Sequence, residues 1–488
     1  MAVVAKAKTE TTKSRSLLWF HIGIMFLLII GFSVIKPIGS ITPMGMKLVG
    51  IFLAMLWGWS TCGLLWPSLL GMLALTLTGL MSMKEFFLLS FGNETLVFIL
   101  FIFIFTAVID EVGLIDYIAN RFISFKLLNG RPWLFSAFFL IGAYVAAAFV
   151  NMFAAIIVFW GILYIVADKF GFAKRDAYPT LMIIGVILAS SVGGAVMPYK
   201  PVPLVVLKAY NQMTGVPMDF FKYICFSLPI TFLIMIFYVL ICRFVFRPDL
   251  KELHKISVDF ADPEALKLDL RQKTAIGFLA AFIFLMIAPS ILPDTWTLTW
   301  VINQIGIAGC LFVLLILMYW IHFDGQPMLD FHKMAGQINW DMFMIMCFVI
   351  PFASIFTSEA TGVKTFMVEA MRPILGGRTP MVFIILALII ATVLTNIANN
   401  MVVGAVFATL IFTIGGGMGL EVMPIIAVLV VCANLALVTP AASPLAAMMF
   451  ANSQWCKTGD LYKYCGLTVV IAFILTVAVG LVWANVVY

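Results

Sequence analysis

The chain reads as an all-α polytopic membrane protein, with about eleven transmembrane helices and two re-entrant hairpins in two inverted repeats. Three observations predict this. Of its 488 residues, 64% are hydrophobic and only 11% charged, where a soluble domain carries about a quarter charged residues. Two apolar segments with polar centres are too long for one span and too short for two. The basic residues also fall on alternate loops.

The elements follow in order. A basic tail (Lys6, Lys8, Lys13, Arg15) precedes an apolar run with no small-residue cleavage site, which reads as a retained first span over 17–36. Spans are expected at 42–60, 63–81 and 92–112, then a hairpin over 132–167, a span over 178–212 that breaks near 194–203, and a span at 221–243. A mixed-charge loop over 243–273 follows. Spans at 274–291, 297–320 and 339–360 lead to a second hairpin over 379–413, a segment over 422–452 broken near 439–444, and a last span at 464–486. The corresponding units are 1–41 (tail and first span), 42–246 (first repeat), 247–273 (cytoplasmic linker) and 274–488 (second repeat).

The hairpins carry the repeat. PWLFSAFFLIGAYVAAAFVNMFAAIIVFWGILYIV centres on Asn151, and GGRTPMVFIILALIIATVLTNIANNMVVGAVFATLIF carries Thr395, Asn396, Asn399 and Asn400. Counted from Arg131 and Arg378 with one inserted residue, Asn151 falls on Asn399. Asp110 and Gly113 echo Glu359 and Gly362, and NQMTGVPMDFFKY echoes NSQWCKTGDLYKY. With the N-terminus inside, 20 of the 29 basic residues lie on the inner side, as short cytoplasmic loops require. The C-terminus is then external and the hairpins open to opposite sides. The expected location is the plasma membrane, or the inner membrane of a bacterium.

Polar tips at the bilayer midplane are where repeat carriers bind substrate. The broken spans add Ser190, Ser191, Gly193, Gly194, Lys200 and Pro201 in the first half, and Asn434, Thr439, Pro440, Ala441 and Ser443 in the second. Gly and Pro interrupt the helical ladder and free carbonyls for a small cation and N-termini for an anion. A single membrane Asn more often cross-links helices, so it is the symmetric pair, Asn151 with Asn399, that points to a site. Lys200 has two readings, a fixed charge for an anion or a side chain snorkelling to the interface. Asp110, Glu111 and Glu359 read as span-end groups near water, as do Asp341 and Glu94.

Other classes fare worse. The net charge of +6 says little about partners, because membrane proteins gather Lys and Arg on inner loops, and no nucleic-acid partner is expected. The eight cysteines lack CxxC spacing, against a disulfide framework or zinc site. There is no HExxH, no phosphate-cradling Gly-Lys-Ser loop and no paired intramembrane aspartates, so no enzyme and no cofactor beyond a coupling Na+ is expected.

The order FGNETLVFILFIFIFTAVIDEVGLIDYIANRF, an Asn-centred hairpin and a Gly/Pro-broken span, repeated as TNIANNMVVGAVF and LVTPAASPLAAMMFANSQWCKTGDLYKYCGL, resembles the divalent anion/sodium symporter family of the ion transporter superfamily. The resemblance implies a homodimer in which a scaffold domain supports a transport domain moving as an elevator, and dicarboxylates, citrate or sometimes sulfate as substrates. It also implies a Ser-Asn-Thr signature at each tip. Here those positions are Val150-Asn151-Met152 and Ala398-Asn399-Asn400, so both asparagines remain and the flanking hydroxyls do not. Lys200 stands where relatives have a small residue.

The expected function is secondary active transport of small organic anions, sodium-coupled. Sodium-independent anion exchange and cation/proton antiport are the alternatives. Substrate contacts are expected from Asn151, Thr395, Asn399, Asn400, Lys200, Pro201, Thr439 and Pro440. Ion contacts are expected from Asn151, Ser190, Ser191, Gly193, Gly194, Asn396, Asn399, Asn434 and Ala441. The apolar neighbours of Asn151 suggest a monocarboxylate or an anion with a hydrophobic portion.

Overall fold

The computed structural model describes residues 2–488 except 216–218, 252, 254–266, 294, 339, 357, 364, 367–368, 370–378 and 399, with backbone alone at 2–16, 60, 95, 126, 212, 342, 353–354 and 359. Every span expected from the sequence is helical. In chain order the first half comprises α1 (Ala2–Val34), α2 (Pro43–Thr61), α3 (Leu65–Leu77), α4 (Met83–Leu89), α5 (Glu94–Glu111), α6 (Leu114–Ile123), α7 (Pro132–Phe149), α8 (Met152–Lys169), α9 (Ala177–Gly193), α10 (Pro201–Thr214) and α11 (Phe220–Ile241). The second comprises α12 (Leu270–Ile291), α13 (Thr297–Trp320), α14 (Phe331–Ala335), α15 (Trp340–Phe356), α16 (Pro380–Thr395), α17 (Asn400–Gly417), α18 (Val422–Asn434), α19 (Pro444–Ala451), α20 (Thr458–Leu475) and α21 (Leu481–Val487).

Among the described residues, eight helices are long and apolar enough to cross a membrane, or nine if the bent pair α5–α6 is one span. That pair turns by 54° at Gly113, whose φ of +72° favours glycine. The sequence count of eleven includes helices shorter than a full span. α3 and α18 have 13 residues each, where about 20 are needed. The arms α7 and α8 have 18 residues each, about 27 Å, longer than the half-depth arms expected. Both arms touch α6 and α9 as well as each other. The ten-residue α6 spans only about 15 Å, so the chain must double back at Val150-Asn151. In the same way α16 and α17 touch each other and both touch α18.

Caps explain where these helices begin. Asn151 Oδ1 accepts from the N–H groups of Phe153 and Ala154 at 2.9 and 3.3 Å, starting α8. Asp219 caps α11 and Ser443 caps α19. Pro201 opens α10 at the first helical position, where a missing N–H costs nothing.

The breaks follow the same economy. Between α9 and α10 the carbonyls of Ala195 and Val196 accept from Tyr223 Oη (2.5 Å) and Ser227 Oγ (2.8 Å) of α11. Polar backbone at this depth must find such partners, because lipid supplies none. Gly193 lets α9 approach α7, for a Cβ there would lie 2.8 Å from the Tyr144 carbonyl oxygen, and a Cβ on Gly194 would collide with Met152 Sδ. Across the halves, α8 meets the residues after α19 through Asn452 Nδ2 donating to Tyr164 Oη (2.7 Å) and Trp455 stacking on Tyr164 at 4.6 Å. At the matching place α10 meets α17 through Tyr210 and Phe412, with ring centroids 6.0 Å apart.

The glycine contact yields a stability test. Gly193→Ala should destabilise the purified protein by about 1–3 kcal/mol through overpacking. Gly161→Ala in α8, where a Cβ meets nothing within 4 Å, should leave the melting temperature unchanged or raise it. Equal effects of the two would refute the close α7–α9 approach.

Candidate binding site at the hairpin tips

The first tip lines a cavity of about 150 Å³, walled by α5 (Ile102, Phe103, Asp110), the tip (Val150, Asn151, Met152) and the start of α10 (Tyr199, Lys200, Pro201), with Gln337 at its edge. Lys200 is 5% exposed, so the snorkelling reading fails. Its Nζ donates to the Val150 carbonyl at 2.8 Å and lies 5.5 Å from the Tyr199 ring centroid. Tyr199 Oη donates to the Phe149 carbonyl at 3.4 Å. Asn151 Nδ2 donates to Asp110 Oδ2 at 3.3 Å. No described carboxylate stands at ion-pair distance from Lys200.

Electrostatically the cavity is unbalanced. Lys200 in its protonated form brings a positive charge, and the N-termini of α8 (at Met152) and α10 (at Pro201) open onto the same space, each adding partial positive charge. Among the described residues, Asp110 is the single carboxylate on its wall. An anionic group entering here meets three attractive features and one repulsive one. Asp110 was expected at a wet span end. The structure places it instead on the cavity wall, half-buried and bonded to the tip asparagine. No spacing rule could have found it, because Asp110 and Asn151 stand 41 positions apart and meet only through the packing of α5 against the tip.

The second tip is a different construction. Asn396 is buried, and both its donors and both its acceptors are used. Nδ2 donates to the carbonyls of Thr392 (2.8 Å) and Leu435 (2.9 Å), while Oδ1 accepts from the N–H groups of Leu437 (2.9 Å) and Val438 (2.8 Å). Thr439 Oγ1 donates to the Asn396 carbonyl at 2.6 Å. Asn396 is thus a strut that holds the break after α18, and its oxygen has no lone pair left for an ion. Thr395 donates to its own helix, at the Thr392 carbonyl. Asn400 is buried, whereas Pro440 and Ala441 are exposed. Asn399 lies outside the described residues.

The two breaks meet. Ser191 Oγ donates to the Asn434 carbonyl at 2.5 Å, and Asn434 Nδ2 returns to the Val430 carbonyl. Beside it Ser190 is fully buried with no hydrogen-bond partner for its hydroxyl among the described residues. Gly193 and Gly194 serve close packing. The expectation of a monocarboxylate rested on the apolar neighbours of Asn151 along the chain. It loses that ground, since Lys200 and Asp110 reach the tip from other helices.

Fold and site together define a polytopic membrane transporter, not an enzyme. A family model described as "Citrate transporter" matches residues 52–433, well over half the chain, and the chain belongs to the citrate transporter family. Among solved structures, the YdaH transporter of Alcanivorax borkumensis, reported to have an unusual topology, is similar over 82% of this chain and 87% of that chain, with a TM-score of 0.56 and 13% identity. At that identity the likeness speaks for the fold alone. No curated protein matches the chain.

Because three backbone groups (the Leu435 carbonyl and the Leu437 and Val438 N–H groups) depend on one amide, Asn396→Leu should cost at least about 3 kcal/mol, each stranded group being worth about 1–3. Thr395→Val, which removes a single local bond, should cost under about 1.5 kcal/mol. Thermal unfolding of purified protein checks both, and a harmless Asn396→Leu would sink the strut assignment.

Proposed function

We propose that the protein is a secondary active transporter of citrate-type carboxylates that binds a substrate carboxylate at the first hairpin tip. The carrying observation is the buried Lys200 ammonium seated on the Val150 carbonyl between two helix N-termini. A buried charge in that place is costly and Asp110 offsets it only in part, so a carboxylate arriving there is favoured. The cavity suits one carboxylate group rather than a whole tricarboxylate, since pockets for such ligands run to about 300–1,000 Å³. Asn151 orients the site by capping α8 and holding Asp110. Pro201 leaves the α10 end open, and Asn399, Asn400, Thr439 and Pro440 of the second tip supply the remaining substrate contacts.

The likeness to divalent anion/sodium symporters supports an elevator. In this reading the hairpins with α9, α10, α18 and α19 form the mobile domain, and α1–α5 with α12–α15 the scaffold of a homodimer. The halves are inverted in the membrane, with the N-terminus cytoplasmic and the C-terminus external. Sodium coupling has one observation in its favour, the unpartnered Ser190 hydroxyl next to the Ser191–Asn434 contact, with the Gly193 and Gly194 backbone close by along the chain. Sodium-independent exchange has another, for Lys200 already fixes a positive charge at the tip and the amide oxygens of Asn151 and Asn396 are taken.

Uptake into proteoliposomes separates these readings. Lys200→Met should lower citrate uptake by about thirtyfold or more, the effect of stranding or removing a buried charge partner, while Lys200→Arg keeps part of it. Asp110→Asn should lower KM for the anion, because the one repulsive carboxylate is gone. Full activity in Lys200→Met would overturn the tip site. Replacing sodium by choline should abolish uptake if Ser190 holds the coupling ion, and Ser190→Ala should mimic that replacement; indifference to both assigns the exchange mode.

A further inference from the structure

A second and larger cavity, of about 580 Å³, opens further along α10, between that helix, α12 and α13. Its volume lies within the range of small-molecule sites, about 300–1,000 Å³, unlike the cavity at the tip. Leu204, Leu207, Lys208 and Asn211 all line it, and their spacing of three and four residues puts them on one stripe of α10. The half-buried Lys208 ammonium makes no hydrogen bond or ion pair with a described residue; Glu94, across the cavity, is the opposite charge that acts on it. Asn211 Oδ1 is buried and lacks a donor among the described residues.

Glu94 stands exposed at the mouth. There the α13 backbone leaves the helix at Gly306 (φ +64°, ψ 177°), and a Cβ at that position would come within 2.8 Å of Glu94 Oε1. The glycine therefore makes room for the carboxylate. With one lysine and one glutamate the empty cavity is neutral overall, so an anion held there is held loosely.

We propose that this cavity is a second binding station, for a hydroxycarboxylate, in which Lys208 takes a carboxylate and Asn211 Oδ1 accepts the ligand hydroxyl. The free ammonium calls for an anion, and the unpartnered acceptor calls for a donor on the same molecule, three residues along one helix face. A carboxylate without the hydroxyl satisfies only the first. The station rests on the reading that the chain carries carboxylates, and it lies apart from Lys200.

The test is equilibrium binding of radiolabelled citrate to the full-length protein in nanodiscs, competed with unlabelled citrate or with tricarballylate, which has the same three carboxylates and no hydroxyl. Wild type should show two classes of site, the weaker preferring citrate over tricarballylate by about tenfold, the worth of one hydrogen bond to a group otherwise left bare. Asn211→Ala should erase that preference, Lys208→Gln should remove the weaker class, and Lys208→Arg should keep it. Lys200→Met should spare it. Melting of each variant without ligand identifies any that fail to fold, and Lys208→Arg against Lys208→Gln stays decisive in that event. A single class in wild type, or citrate preference surviving both Asn211→Ala and Lys208→Gln, overturns the station and leaves the Lys200 site standing. Wild type that binds no carboxylate overturns both.

Discussion

Backbone that leaves the helix inside a bilayer has no water to turn to, and every break in this chain is shaped by that constraint. The two halves meet it differently. After α18 one amide, Asn396, serves the carbonyl of Leu435 and the N–H groups of Leu437 and Val438 while tying itself to Thr392. After α9 the partners are spread over several side chains, with Tyr223 and Ser227 taking the carbonyls of Ala195 and Val196. The carbonyls of Phe149 and Val150 at the first tip go to Tyr199 and Lys200. A break closed by one neutral amide has no charge to offer. A break closed in part by a lysine has one, so the chemistry of a nearly symmetric fold gathers on one side.

That lysine is not a neutral structural choice. A serine or tyrosine hydroxyl would satisfy the Val150 carbonyl at lower cost, as Tyr223 and Ser227 do for their partners. An ammonium brings a charge that the two helix N-termini beside it make worse, and only Asp110 offsets it. Such an arrangement makes physical sense where an anion regularly visits, because the strain of the empty site becomes binding energy in the full one. Asp110 then sets how loosely the visitor is held. A carrier must release what it binds, and one carboxylate against three positive features keeps the site from becoming a trap.

How much of this the residues disclosed depends on range. The helices were legible because their cause is local, long apolar runs; that Asn151 and Asp219 start helices as caps emerged only from the structure. The length of 132–167 misled, since each arm has 18 residues and is long enough to be a candidate span on its own, but the break at Asn151 was legible from its polar character in an apolar run. The depth of Lys200 was not, because it depends on how far α9 carries the chain before the break. The roles of Asn396 and Asp110 were hidden for a related reason. Asn396 is committed by backbone some forty positions away, and Asp110 bonds a tip residue 41 positions further along the chain. The polar character of both tips could be read early; which polar atoms were already spent could not.

α10 joins these threads mechanically. It carries Lys200 at its N-terminal boundary and Lys208 about 12 Å further along its axis, each facing a different cavity. It also packs on α17 so closely that a Cβ on Gly404 would lie 2.6 Å from Val206 Cγ2, and interiors packed to that density shift as bodies rather than deform. α10 and the second arm of the second hairpin must therefore move together. The lysine on the first tip and the lysine in the larger cavity are then fixed to one rigid unit, while Asp110 and Glu94 sit at opposite ends of α5. Each lysine thus shares a cavity wall with one of those carboxylates without pairing with it. In the reading proposed above, an anion on Lys200 alters the charge balance at one end of α5 and leaves the other end intact, so one closely packed helix ties the two cavities together.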